Sequence, residues 1–109
     1  MEKIASKILN NPMYQKIDKV AKTLGFLLTY AGRNGDKITI ITEPTEKYLP
    51  KINVEDSVLK IDLKVSDSIG VEEYEKVIEA SKRGLKFAKT LQAGLDHGVF
   101  NKLADSSED

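Results

Sequence analysis

Apolar residues recur at three- and four-residue spacing over three stretches of the chain and alternate with polar ones over another. From Glu2 to Leu9, Ile4, Ala5, Ile8 and Leu9 share one side, which predicts a short helix. Asn10, Asn11 and Pro12 then mark a restart, because Asn caps a helix and Pro is tolerated at its first position. The spacing of Met13, Ile17, Val20, Leu24, Leu27, Leu28 and Ala31 predicts a second helix running to about Ala31. GRNG, Gly32 to Gly35, ends it as a cap and turn.

A β segment is expected next. KITIIT, Lys37 to Thr42, is rich in β-branched residues. VLKIDLKV alternates Leu59, Ile61, Leu63 and Val65 with Lys60, Asp62 and Lys64, the period of a strand with one buried face. Between them, Glu43 to Ser57 contains two prolines and more acid than base, so it reads as a loop, with a short extended piece at Ile52 to Val54. A loop that long is either functional or poorly ordered.

The longest helix is expected from about Val71 to Asp96, with Glu72, Glu73 and Glu75 at its dipole-favoured start. Its apolar stripe is Tyr74, Val77, Ile78, Ser81, Leu85, Ala88, Leu91 and Leu95. Gly84 and Gly94 within it mark either close approach by a neighbouring helix or partner, or a bend or early end at Gly94. Val99, Phe100 and Leu103 suit a last short turn before the polar tail. The expected fold class is α+β, mainly α: a small helical bundle of two N-terminal helices and a long C-terminal helix, with a β-hairpin-like insertion at about 37–66. One domain is expected over 1–104, with a disordered acidic tail at 105–109.

Composition narrows the class without naming an activity. At 109 residues, 40% hydrophobic and 31% charged, the chain suits a single core. No apolar run approaches a membrane span of about 18 residues, MEKIASKIL lacks the continuous apolar stretch of a signal peptide, and no membrane partner is expected. The absence of cysteine excludes disulfides, thiol nucleophiles and thiolate zinc sites, and fits a cytoplasmic location. Seventeen basic and seventeen acidic side chains cancel, but unevenly: residues 1–37 net +4, 38–75 net −5, 76–102 net +4 and 103–109 net −3. Two basic blocks therefore flank an acidic middle, an asymmetry that bears on partners rather than on fold.

Candidate chemistry rests on those blocks. His97 is the only histidine, with neither an HExxH motif nor a cysteine to complete a metal or catalytic set, and suits a helix C-terminus instead. GRNG precedes a strand, the reverse of the strand, glycine loop and helix order that cradles phosphate. The acids from Glu43 to Asp67 are too irregularly spaced for a calcium loop. No catalytic residue, metal or cofactor is expected. On the long helix, Lys82, Arg83, Lys86 and Lys89 project as one ridge that either follows a phosphate backbone or is simply solvated. On the second helix, Lys16, Lys19 and Lys22 lie opposite the core stripe with Phe26 and Tyr30. Those rings either stack bases between the lysines or are covered by the first helix.

Two helices ending in an aromatic-Ala-Gly turn, TLGFLLTYAGRNG, then a small β insertion and a long basic C-terminal helix, form an arrangement that resembles the small subunit of archaeal type I-A CRISPR effector complexes. The resemblance implies a non-catalytic subunit of a Cascade-like RNA-guided complex in antiviral defence. Its partners would be other effector subunits, guide RNA and target DNA, including the displaced strand. The acidic middle departs from a uniformly basic surface. The competing expectation is a protein-only interaction module, such as a homo-oligomeric adaptor or a viral inhibitor, using the hairpin edge and acidic loop.

Overall fold

The computed structural model describes residues 10–63, 65 and 68–105, so the expected helix over Glu2 to Leu9 lies outside the described residues. The chain runs α1 (Pro12–Leu24), β1 (Phe26–Asn34), β2 (Lys37–Pro44), β3 (Lys51–Glu55), β4 (Val58–Asp62), α2 (Val71–Asp96) and a 3₁₀ turn (Val99–Lys102). The strands form one antiparallel sheet in the order β1-β2-β3-β4. Both helices cover one face of it, where Phe26, Leu28, Ala31, Ile38, Ile40, Ile52 and Val54 meet Ile17, Ala21, Ala80, Phe87 and Leu91. The expected helical bundle with a β insertion is thus incorrect. This is a helices-on-sheet architecture, and the sheet is one of its two layers.

Residues 25 to 34 make the difference. Helix α1 starts at the Asn–Pro signal, Asn11 Oδ1 accepting from the N–H of Met13 at 2.9 Å and of Tyr14 at 3.1 Å. It ends at Leu24 rather than Ala31, because Gly25 adopts a left-handed conformation (φ 99°) and its N–H caps Ala21 and Lys22. The next nine residues are strand β1. A bulge at Thr29, between the pairs Leu28↔Thr42 and Tyr30↔Ile41, puts Leu28 and Ala31 on the same face three residues apart. That spacing imitates a helix, which is why Leu24, Leu27, Leu28 and Ala31 read as a helical stripe. GRNG is the end of β1 and the tight turn into β2, with Gly35 at φ 66°.

The expected loop over Glu43 to Ser57 is mostly ordered structure. The extended piece at Ile52 to Val54 is the centre of β3. Asp56 and Ser57, both at positive φ, close the β3–β4 hairpin. Ser57 ties that tip to β2: its Oγ accepts from the Ile38 N–H at 2.9 Å and donates to the Asp36 carbonyl at 3.0 Å. Buried Thr42 is satisfied likewise, donating to the Ile52 carbonyl at 2.6 Å.

Helix α2 has the expected bounds but a different rotation. Its buried residues are Val77, Ala80, Gly84, Phe87, Ala88, Leu91 and Gly94, while Tyr74, Ile78 and Leu85 of the expected stripe are exposed. Phe87 sets this orientation by stacking on Phe26 at 4.5 Å between ring centroids and 20° between planes. At the C-terminal end, Phe100 meets Tyr14 edge-on at 6.4 Å. Asp105, placed at the start of the expected disordered tail, is held instead. Its carboxylate accepts from the Gly35 N–H at 3.0 Å and pairs with Arg33 at 3.5 Å; residues 106–109 lie outside those described.

Candidate nucleic-acid interface

The two basic helices lie side by side because α2 has no side chain at Gly94. A Cβ there would sit 2.8 Å from Ile17 Cδ1 and 2.9 Å from Phe100 Cε2. Their solvent-facing seam is a groove of about 460 Å³ with an apolar floor of Ile17, Val20 and Ala93. Lys16 stands on its α1 side, Lys86 and Lys89 on its α2 side, and His97 at its end. No acid is among the described residues lining it. Lysines from two helices 70 residues apart in sequence thus converge on one concavity.

An adjoining hollow of about 440 Å³ continues the surface past Leu24 and is lined by Lys82, Arg83 and Lys86 together with Glu75 and Glu79. Lys86 belongs to both. Arg83 is not a free cation. Its guanidinium makes a two-pronged bond to Glu46, 2.8 Å from Nη1 to Oε2 and 2.8 Å from Nη2 to Oε1, and its Nε lies 3.4 Å from Glu79 Oε1. The hydrogen bonds from Arg83 hold the Glu46 carboxyl below its ordinary pKa, and Glu46 pushes that of Arg83 up. Glu46 lies 37 positions upstream, with no local signal linking it to α2.

Of the expected nucleic-acid-binding residues, Lys16, Lys86 and Lys89 share the groove and Lys82 extends it. Lys19 and Lys22 are exposed on α1 but do not line it, and Lys22 is bonded to Asp18 at 3.0 Å. The aromatic part of the expectation is corrected: Phe26 and Tyr30 belong to β1, not to a helix with lysines. Phe26 is fully buried against Phe87, and Tyr30 lies across Gly32. Neither is a stacking platform beside the lysines.

No protein-family model, curated protein or solved structure matches the chain. Among the described residues, no group of three or more His, Asp or Glu is placed to hold a metal ion, and no helix is long and apolar enough to cross a membrane. Three ammonium groups around an apolar floor can grip an anionic polymer by charge while its less polar parts lie against the floor.

Proposed function

We propose that the protein is a non-catalytic binding module that holds a nucleic-acid backbone along the groove between α1 and α2. The observation that carries this reading is the convergence of Lys16 with Lys86 and Lys89 around one concavity lined by no described acid. Lysine is a point charge on a flexible stem, so three of them follow a phosphate chain without reading its sequence. A type I-A CRISPR complex is one setting for such a module, with guide RNA, target DNA or the displaced strand as the polyanion. TLGFLLTYAGRNG, which carries that resemblance, forms mainly strand β1, so the groove bears the weight of the proposal.

Fluorescence anisotropy with labelled single-stranded and duplex oligonucleotides, across a salt series, tests the reading. Three phosphate contacts give a slope of log affinity against log salt of about −2 for single strands and about −3 for duplex. The Lys16→Glu, Lys86→Glu, Lys89→Glu variant should bind far more weakly and with a flatter slope. Wild-type slope retained in that variant refutes the groove as the site. A pull-down from native lysate then tests the wider setting, recovery of effector subunits with small RNA supporting it and recovery of an unrelated partner counting against it.

A further inference from the structure

Strand β4 has the alternation of a strand with one covered face, yet its apolar side is half open. Ile61 is 51% exposed, and Leu63 and Val65, just beyond the strand, are each 43% exposed. Opposite them on α2, Tyr74 (56%), Ile78 and Leu85 (53%) fall within an arc of about 40° at 100° per residue, roughly 120° round the helix from its buried stripe. Leu63 and Val65 line, with Tyr74, Ile78 and Leu85, a mainly apolar cleft of about 420 Å³ just past the end of edge strand β4, with Lys82 at its margin. The sheet's other edge is protected. β1 carries the bulge at Thr29, and residue 105 bridges to Arg33 at its end, whereas β4 pairs with β3 through five consecutive residues without a bulge.

We infer that β4 pairs antiparallel with β4 of a second copy of this chain, making an eight-stranded sheet in which the half-open apolar side of each β4 is extended by that of the other. The charge pattern selects that occupant. In the two-fold register centred on Ile61, Leu59 faces Leu63 and Ile61 faces itself on the covered side. On the open side, Lys60 faces Asp62 and Asp62 faces Lys60. Registers two residues either way set Asp62 against Asp62 or Lys60 against Lys60, so the alternation that hides the apolar face also admits one alignment. The dyad of such a pair is perpendicular to the sheet, which keeps the helices of both copies on one side of it. Lys60 is now bonded to Glu55 at 2.7 Å, and both groups remain more than half exposed, so this contact leaves Lys60 available to a second carboxylate.

Light scattering coupled to size exclusion on the full chain, over a concentration series, tests the dimer. The wild type should be dimeric. Lys60→Asp and Asp62→Lys should each weaken dimerisation by about tenfold or more, because each sets like charges opposite one another twice. Mixing the two single variants should restore the dimer, since position 60 of one and 62 of the other are then oppositely charged in both pairs. Circular dichroism confirms that the variants fold. A monomeric wild type, as expected if another protein or another segment of the chain covers the cleft, overturns the inference. So does a dimer indifferent to both substitutions, or a mixture that fails to reassociate.

Discussion

Replacing Gly84 by Ala opposes two effects of similar size. In the interior of a 26-residue helix, Ala is favoured over Gly by about 1 kcal/mol. Against this, a Cβ at position 84 would lie 2.5 Å from Pro50 Cγ and 3.0 Å from Pro50 Cδ, where carbon atoms prefer about 3.5–4.0 Å. The ring must retreat by about 1 Å, and it cannot do so by rotating a side chain, because it is fused to the backbone. Pro50 is itself buried, between buried Leu49 and the start of β3, whose Ile52 is fully buried. Overpacking of this kind costs about 1–3 kcal/mol, so the clash wins and Gly84→Ala should destabilise by about 1 kcal/mol, lowering Tm by roughly 4–8 °C. Urea unfolding measures it. In a Pro50→Ala background the ring is gone and Gly84→Ala should become stabilising, a coupling of about 1–2 kcal/mol in the double-mutant cycle. A stabilising Gly84→Ala in the wild type, or a cycle without coupling, would show that α2 does not press on the β2–β3 connection.

Two further outcomes are expected. Phe87→Ala, which empties a fully buried site stacked on Phe26, should cost about 3–5 kcal/mol by urea unfolding; a loss under about 1 kcal/mol would mean the rings do not pack. Glu46→Gln should release Arg83 from its two-pronged ion pair, leaving only the longer Glu79 contact, and steepen the salt slope of oligonucleotide binding by up to about 0.7–0.9, while an unchanged slope would place Arg83 off the path of the polymer. Because the folded-state pKa of Glu46 is lowered, its pairing contributes in full above the unfolded value of about 4.3 and is lost as pH falls through the folded one. Near neutral pH, therefore, the substitution and not titration releases Arg83.

Local chemistry made some elements legible. Asn11 and Pro12 define the start of α1 through bonds that span three residues, the β-branched run at Lys37 to Thr42 lies in β2, and the alternation from Val58 lies in β4 only as far as Asp62, with its apolar face half open rather than buried. Val71 to Asp96 is a helix with the expected bounds. The misreading at Phe26 to Ala31 has a definite cause. One bulged residue converts a two-residue period into a three-residue step, and only pairing with β2 reveals which conformation the step belongs to. Gly25 was the one local sign of a break.

For the candidate site, the charge blocks pointed to the two helices that border the groove but not to the set of side chains that converges on it. A helical wheel separates Lys82, Arg83, Lys86 and Lys89 from the apolar residues of α2, yet it cannot show that Arg83 is tied to Glu46 on the β2–β3 connection. Nor can it show that Lys16 stands across a groove from Lys86 and Lys89. By itself the sequence determined the N-cap of α1, the extent of α2, the period of the strands after Lys37 and the alternating charge of β4, because those features depend on neighbours a few residues apart. Tertiary structure alone decided the bulged strand β1, the rotation of α2 onto Phe26, the capture of Arg83 and the convergence of the lysines. Each of these requires distant segments to be brought together, and a long-range contact leaves no periodic trace in either segment that makes it.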